Sequence, residues 1–249
     1  MSSMRLLTAL GRVADEYVAE SASPRQGVKP ALRWIALAAS AAVIALLALP
    51  KLLPGPAIDL TGASENVRVS YVRFAPKTTA KAELVWLSEQ QLFSEFNTVI
   101  FQGTVTDIRN VKISFNDDDV YRALATIKAD KIYRGAVQPG DLLTILLPCP
   151  IGGNRVWVED TEVIAQLQVG MTGIFMPQVY AEDAFWQQNG ATLRLKDVAA
   201  YGLPDGMRFA FLDTDKGLLF LRPAYESIAS AASLEEIECY IKKMIGPNP

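Results

Sequence analysis

Two cysteines, a few runs of adjacent carboxylates and no histidine bound the chemistry open to this chain of 249 residues. A cysteine nucleophile needs a depressed pKa and normally an imidazole beside it, and the chain offers no imidazole to Cys149 or Cys239. The same absence removes Ser-His-Asp triads, imidazole general bases and every His-ligated metal site. Two states remain open to the thiols. In an oxidising compartment they form a disulfide that closes a loop of about 90 residues, worth about 4 kcal/mol in the chain-entropy model. In a protein from a source that makes few disulfides they are two separate buried thiols.

The carboxylates cluster in expected loops. Glu159, Asp160 and Glu162 are the acids an enzyme would have to use for proton transfer, but neighbouring acids in a loop read as a solvated face. Asn116-Asp117-Asp118-Asp119 raises the question of calcium, yet the alternating acids and sixth-position glycine of an EF-hand are missing. That run reads as a hairpin tip in water. No catalysis, cofactor or metal is expected. The groups left with binding chemistry are aromatic: Tyr121, Tyr133, Trp157, Phe175, Tyr180 and Trp186, of which Tyr121, Tyr133, Trp157 and Trp186 are assigned to a ligand face. For each of these rings the alternative is core packing.

The elements that position these groups hang from one apolar run, Trp34 to Leu49, with no charge, proline or glycine. Continued through Leu53, with Lys51 reaching for the headgroups, it attains the roughly 20 residues that cross a bilayer. A signal peptide would normally have a shorter leader, and a buried soluble helix would show a polar face. Arg5, Arg12, Arg25, Lys29 and Arg33 precede the run, so the positive-inside rule puts the N-terminus in the cytoplasm. The first 51 residues hold 6 of the 24 basic and 3 of the 27 acidic residues, which leaves 18 against 24 in the remainder. A surface of that sign without a basic run is no expected partner for nucleic acid.

Four parts follow: a cytoplasmic amphipathic head and tether (1–30), a transmembrane helix (31–53), a Pro-Gly stalk (54–65) and an extracytoplasmic domain (66–249). In the head, Leu6, Leu10, Val13 and Tyr17 recur at helical spacing. They form either a helix lying on lipid or a docking face for a cytoplasmic regulator. In the large part, alternation predicts strands over 66–74, 98–108, 121–129, 142–147, 172–176 and 192–195, and a hairpin between 207 and 221. Helices are predicted after Ser88 and after Ser233, the latter with Ile237, Tyr240, Ile241 and Met244 as its apolar stripe. The fold class is mainly β, a small barrel closed by a C-terminal helix.

Two resemblances add to this reading. Leu10 to Ala22, Leu-Gly-Arg-Val-Ala-Asp-Glu-Tyr-Val-Ala-Glu-Ser-Ala, followed by a basic segment and a span, resembles the leader of single-pass membrane proteins of clostridia, some of them like anti-sigma factors. Ala14 departs from the acidic residue usual there. Val99 to Ile108, Tyr121 to Gly135, Gly140 to Leu147 and Leu167 to Phe175 resemble the OB-type barrel of netrin and tissue-inhibitor-of-metalloproteinase modules. The resemblance implies that fold over about a third of the chain. It implies no protease inhibition, because the N-terminal zinc-binding cysteine of those inhibitors has no counterpart. The expected function is a non-catalytic binding or structural module on the cell envelope, with an outside ligand or protein as partner; the alternative is transmembrane signalling through the head helix.

Overall fold

Alternation of small and large apolar residues along two long strands shapes the sheet that carries everything else. The computed structural model describes residues 55–76, 79–80, 85–152, 157–158 and 160–246, all within the unit of residues 54–249. The head, with Leu6, Leu10, Val13 and Tyr17, and the expected span lie outside the described residues, as does Glu159. Among the described residues no helix is long and apolar enough to cross a membrane.

The strands in chain order are β1 (Ala57–Ile58), β2 (Val67–Val72), β3 (Thr79–Ala80), β4 (Ile100–Phe115), β5 (Asp118–Arg134), β6 (Leu142–Leu147) and β7 (Trp157–Val158). They continue with β8 (Thr172–Phe175), β9 (Gln178–Val179), β10 (Phe185–Gln188), β11 (Ala191–Arg194), β12 (Tyr201–Gly202), β13 (Ala210–Thr214) and β14 (Gly217–Leu219). Two α-helices accompany them, α1 (Glu89–Ser94) and α2 (Leu234–Ile245). The expected strands and both helices are present, each helix starting at its predicted serine: Ser88 Oγ accepts from Gln91 N–H at 3.3 Å and Ser233 Oγ from Glu236 N–H at 3.4 Å.

The main sheet runs β14-β13-β8-β4-β5-β6-β12-β9, with β2 on the far half of β4 and β1 on β2. It curls into a half-barrel. Its β9 end returns to the start of β4, where Thr98 bridges Gln178, Val99 N–H bonds the Pro177 carbonyl at 3.0 Å and Val179 N–H bonds the Asn97 carbonyl at 2.8 Å. Within this sheet pairing is antiparallel except between β6 and β12, which run parallel. A parallel neighbour needs a crossing connection, and the chain from β6 to β12 supplies it by way of β8 to β11.

The β4–β5 hairpin is longer than its sequence pattern predicts, and a bulge is the reason. Val105 faces Ile127 while Asp107 faces Thr126, so Thr106 is an extra residue. One extra residue sends the apolar set to the other face. Before the bulge Phe101 and Val105 join the main core with Ala123, Ala125, Ile127 and Ala129; after it Val111, Ile113 and Phe115 join a second core. The main core is closed by Leu92 and Phe93 of α1 and by Leu234, Ile237, Tyr240 and Ile241 of α2. The second core packs Val67, Val69, Leu124 and Leu146 against Ala191 and Leu193 of the β10–β11 hairpin.

Candidate functional site

On β5, Arg122 shares a face with Leu124, because side chains two apart point the same way, and it stands opposite Val111 of β4. That face is covered by the β10–β11 hairpin, whose Trp186 ring packs on Phe115 with centroids 5.1 Å apart. The Arg122 guanidinium carbon lies 5.1 Å from the centre of the Trp186 ring, within cation–π range. Its Nη1 donates to the Tyr121 carbonyl at 2.9 Å. Among the described residues no carboxylate pairs with it, although seven other ion pairs are formed.

Between the β5–β6 face and the hairpin lies a cleft of about 380 Å³. Leu146, Leu147, Pro148, Leu195, Leu203 and Pro204 give it apolar walls; Phe185, Trp186 and Tyr180 give it aromatic ones; Arg122 and Gln187 are its polar groups besides the Tyr180 hydroxyl. The size and the mixture of apolar wall with few polar groups are those of a small-molecule site. Burial lowers the Arg122 pKa and the charges of Cys149 and Tyr180 act against that fall, but a guanidinium stays charged at any physiological pH. Burial pushes the Tyr180 phenol up to about 12 against the pull of Arg122, so it is a neutral hydroxyl near neutrality. Among the described residues no fully buried side-chain nitrogen or oxygen is left without a hydrogen bond. The guanidinium nitrogens without a protein acceptor therefore reach the cleft.

The β10–β11 hairpin that walls this cleft is pinned at both ends. The tips of the β4–β5 and β10–β11 hairpins are bonded together: Asn116 Nδ2 donates to the Asn189 carbonyl at 2.8 Å, and Gln188 Nε2 donates to Asp118. At the other end Asp197 accepts from the N–H groups of Thr61 and Gly62 at 2.8 and 2.7 Å and from Arg194 Nε at 2.9 Å. The acid-rich turn is thus a hairpin tip in which Asp118 bonds a neighbouring loop and Asp119 takes Ser114 Oγ at 2.6 Å and Lys112 Nζ at 3.2 Å. Among the described residues no group of three acids, cysteines or histidines is placed to hold a metal ion.

The four aromatics assigned to a ligand face are not brought together. Trp186 lines the cleft. Tyr121 contributes its carbonyl, and its side chain projects from the opposite face of β5. Tyr133 is buried in the main core, its hydroxyl donating to Glu238 Oε2 at 3.0 Å. Trp157 is known only as a residue of β7, paired in parallel with β3. Phe175 is main core as well, whereas Tyr180 belongs to the cleft. The two thiols are free and separate: Cys149 is buried next to the cleft residue Pro148, with its pKa pushed up to about 11 by burial, and Cys239 is exposed on α2. The sequence reading passed over Arg122, Phe185 and the strand β10. One signal was present, since Asn189-Gly190 is the strongest short hairpin dipeptide, and those two residues have φ of 48° and 73°.

A larger trough of about 1060 Å³ runs between the β1 segment and β2, but its walls are mainly polar, its Lys112 is held by Asp119 and its Arg68 is exposed to water. It lacks the convergence of apolar wall and unpaired charge found at Arg122. No protein-family model, curated protein or solved structure matches the chain.

Proposed function

We propose that the protein is a membrane-anchored envelope protein whose folded part is a non-catalytic binding module of OB type, holding its ligand on the β5–β6 face under the β10–β11 hairpin. The cleft at Arg122 and Trp186 is the observation that carries this reading. The OB assignment is supported by the ring β4-β5-β6-β12-β9, five strands with a crossing connection, as a five-stranded Greek-key barrel requires. In such barrels ligands sit on the second and third strands between the first and last loops. Here those strands are β5 and β6, and the β10–β11 hairpin, which lies in the last loop, walls the cleft.

Two experiments test the reading. Small organic fragments are screened against the full-length chain in detergent by the shift of its unfolding temperature, wild type beside Trp186→Ala. Fragments that stabilise the wild type alone support the module; a library that stabilises neither protein, or both equally, removes it. Intact cells are also treated with a membrane-impermeant protease. Digestion of the C-terminal part with a protected, membrane-bound N-terminus supports the anchor, and a tail released intact or left protected overturns it.

The second reading is transmembrane signalling, and it rests on the amphipathic spacing of Leu6, Leu10, Val13 and Tyr17. A peptide of residues 1–30 then retains a cytoplasmic protein from the source cell. If it binds only lipid vesicles, that reading loses its support.

A further inference from the structure

The charge at Arg122 is not answered by the protein. Its Nη1 bonds a backbone carbonyl, Trp186 presents its π face, and among the described residues no carboxylate reaches it. Arg208, the other well-sequestered guanidinium, is paired with Asp205 at 2.8 Å. A cation drawn out of water without a counter-ion is costly, and removing that cost is free energy available to an anion that enters the cleft. The Tyr180 hydroxyl lines the same cleft and has no hydrogen-bond partner among the described residues. The same cleft is lined by Leu146, Phe185, Leu195 and Leu203.

We propose that the cleft binds a small organic carboxylate, its two oxygens on the guanidinium fork of Arg122 with the Tyr180 hydroxyl as a further donor, and its apolar body between Leu146 of β6 and the hairpin aromatics. This rests on the reading of the domain as a binding module. A planar fork matches a carboxylate in two parallel hydrogen bonds. A volume of about 380 Å³ accepts a ring-bearing acid with room to spare. An inorganic anion would satisfy the fork and leave the apolar walls wet, which is why the body belongs to the assignment.

The test is equilibrium dialysis of the full-length chain in detergent against benzoate and against benzamide, its neutral isostere, with empty micelles subtracted. Benzoate is expected to bind saturably and at least about tenfold more tightly than benzamide, the ratio a charge-assisted pair supplies. Arg122→Met is expected to lose that preference while unfolding at or above the wild-type temperature, since it removes an unpaired charge. Arg122→Lys keeps the charge without the fork and binds benzoate several-fold more weakly than wild type; should the methionine variant not fold, the lysine variant decides. Absence of saturable benzoate binding, equal affinity for benzamide, or either variant binding like wild type overturns the proposal. Equal binding of both probes, lost in Trp186→Ala, discards the carboxylate and leaves the binding module standing. When neither probe binds, the carboxylate falls, and the module is judged by its fragment screen.

Discussion

Arg208 and Arg122 both carry a guanidinium away from bulk water, and they differ in what answers its charge. Asp205 Oδ2 takes Arg208 Nε at 2.8 Å, while its Oδ1 takes the N–H groups of Met207 and Arg208, both at 2.8 Å. Arg208 Nη1 reaches the Val85 carbonyl at 2.7 Å, and Tyr225 Oη donates to the Arg208 carbonyl at 2.6 Å. Both partners of the ion pair are less than a tenth exposed. Breaking such a pair from one side strands the other charge, so Asp205→Ala is expected to cost about 3–5 kcal/mol, read as a lowered urea midpoint. A loss under 1 kcal/mol would mean that water replaces the carboxylate. Neither arginine was legible as a site, because the sequence shows a basic residue among alternating neighbours and says nothing of whether an acid meets it. Gly202 is a third position of this kind. A Cβ placed there would lie 1.7 Å from the Tyr180 hydroxyl oxygen, so Gly202→Ala must drive the ring aside. Overpacking of this sort costs about 1–3 kcal/mol, and here it also disturbs the cleft.

At the level of elements, the β10–β11 hairpin shields the second core and forms one wall of the cleft. It is four pairs long, from Phe185 with Arg194 to Gln188 with Ala191, around the two-residue turn Asn189-Gly190. Gly190 has open space where a Cβ would go but a φ of 73°, so Gly190→Ala is charged only for its backbone, about 1 kcal/mol. Stability measurements in urea should show that modest loss, and fluorescence of Trp186 should redden as the ring gains water. An unchanged spectrum with an unchanged midpoint would mean that the hairpin holds without its turn. Helix α2 gives the contrasting case. Ile237 is wholly buried against the main core, and Ile237→Ala is expected to cost about 2–5 kcal/mol. Its amphipathic stripe was readable, because helical spacing with a serine cap needs no knowledge of the partner. The hairpin was half readable: β11 alternates, but Phe185-Trp186-Gln187-Gln188 does not, and its pairing depended on reading Asn189-Gly190 as a turn.

Across the whole molecule, the curl of the sheet depends on pairings far apart in the chain, such as Thr98 with Gln178 and Tyr201 with Ile145. Local pattern predicts the strands and a small barrel in outline, but it does not say which strands distant in the chain pair to curl the sheet. Two carboxylates tie distant parts of this arrangement together. Asp197 holds the start of the domain, at Thr61 and Gly62, to the segment after β11; burial pushes its pKa up, and the bonds from Gly62, Arg194 and Thr61 outweigh that and hold it at about 2. Glu238 ties α2 to β5; its bonds with Lys242 and Lys131, assisted by Tyr133, hold its pKa at about 2 against a smaller push from burial. A carboxylate whose folded pKa lies below its unfolded value stabilises the fold above the unfolded pKa and loses that contribution as pH falls through the folded one. The window here is from about pH 4.5 down to about 2. Because Lys131 and Lys242 are more than half exposed, the full shifts overstate the energy, and about 2 kcal/mol for the two together is the expectation after screening. Denaturant midpoints should be level from pH 7 to 5 and fall between pH 4 and 2. In the double variant Asp197→Asn, Glu238→Gln the fall should shrink by about that amount, while stability at neutral pH drops toward the acid value. A double variant whose pH profile parallels the wild type would show that other carboxylates set the acid limit of this fold.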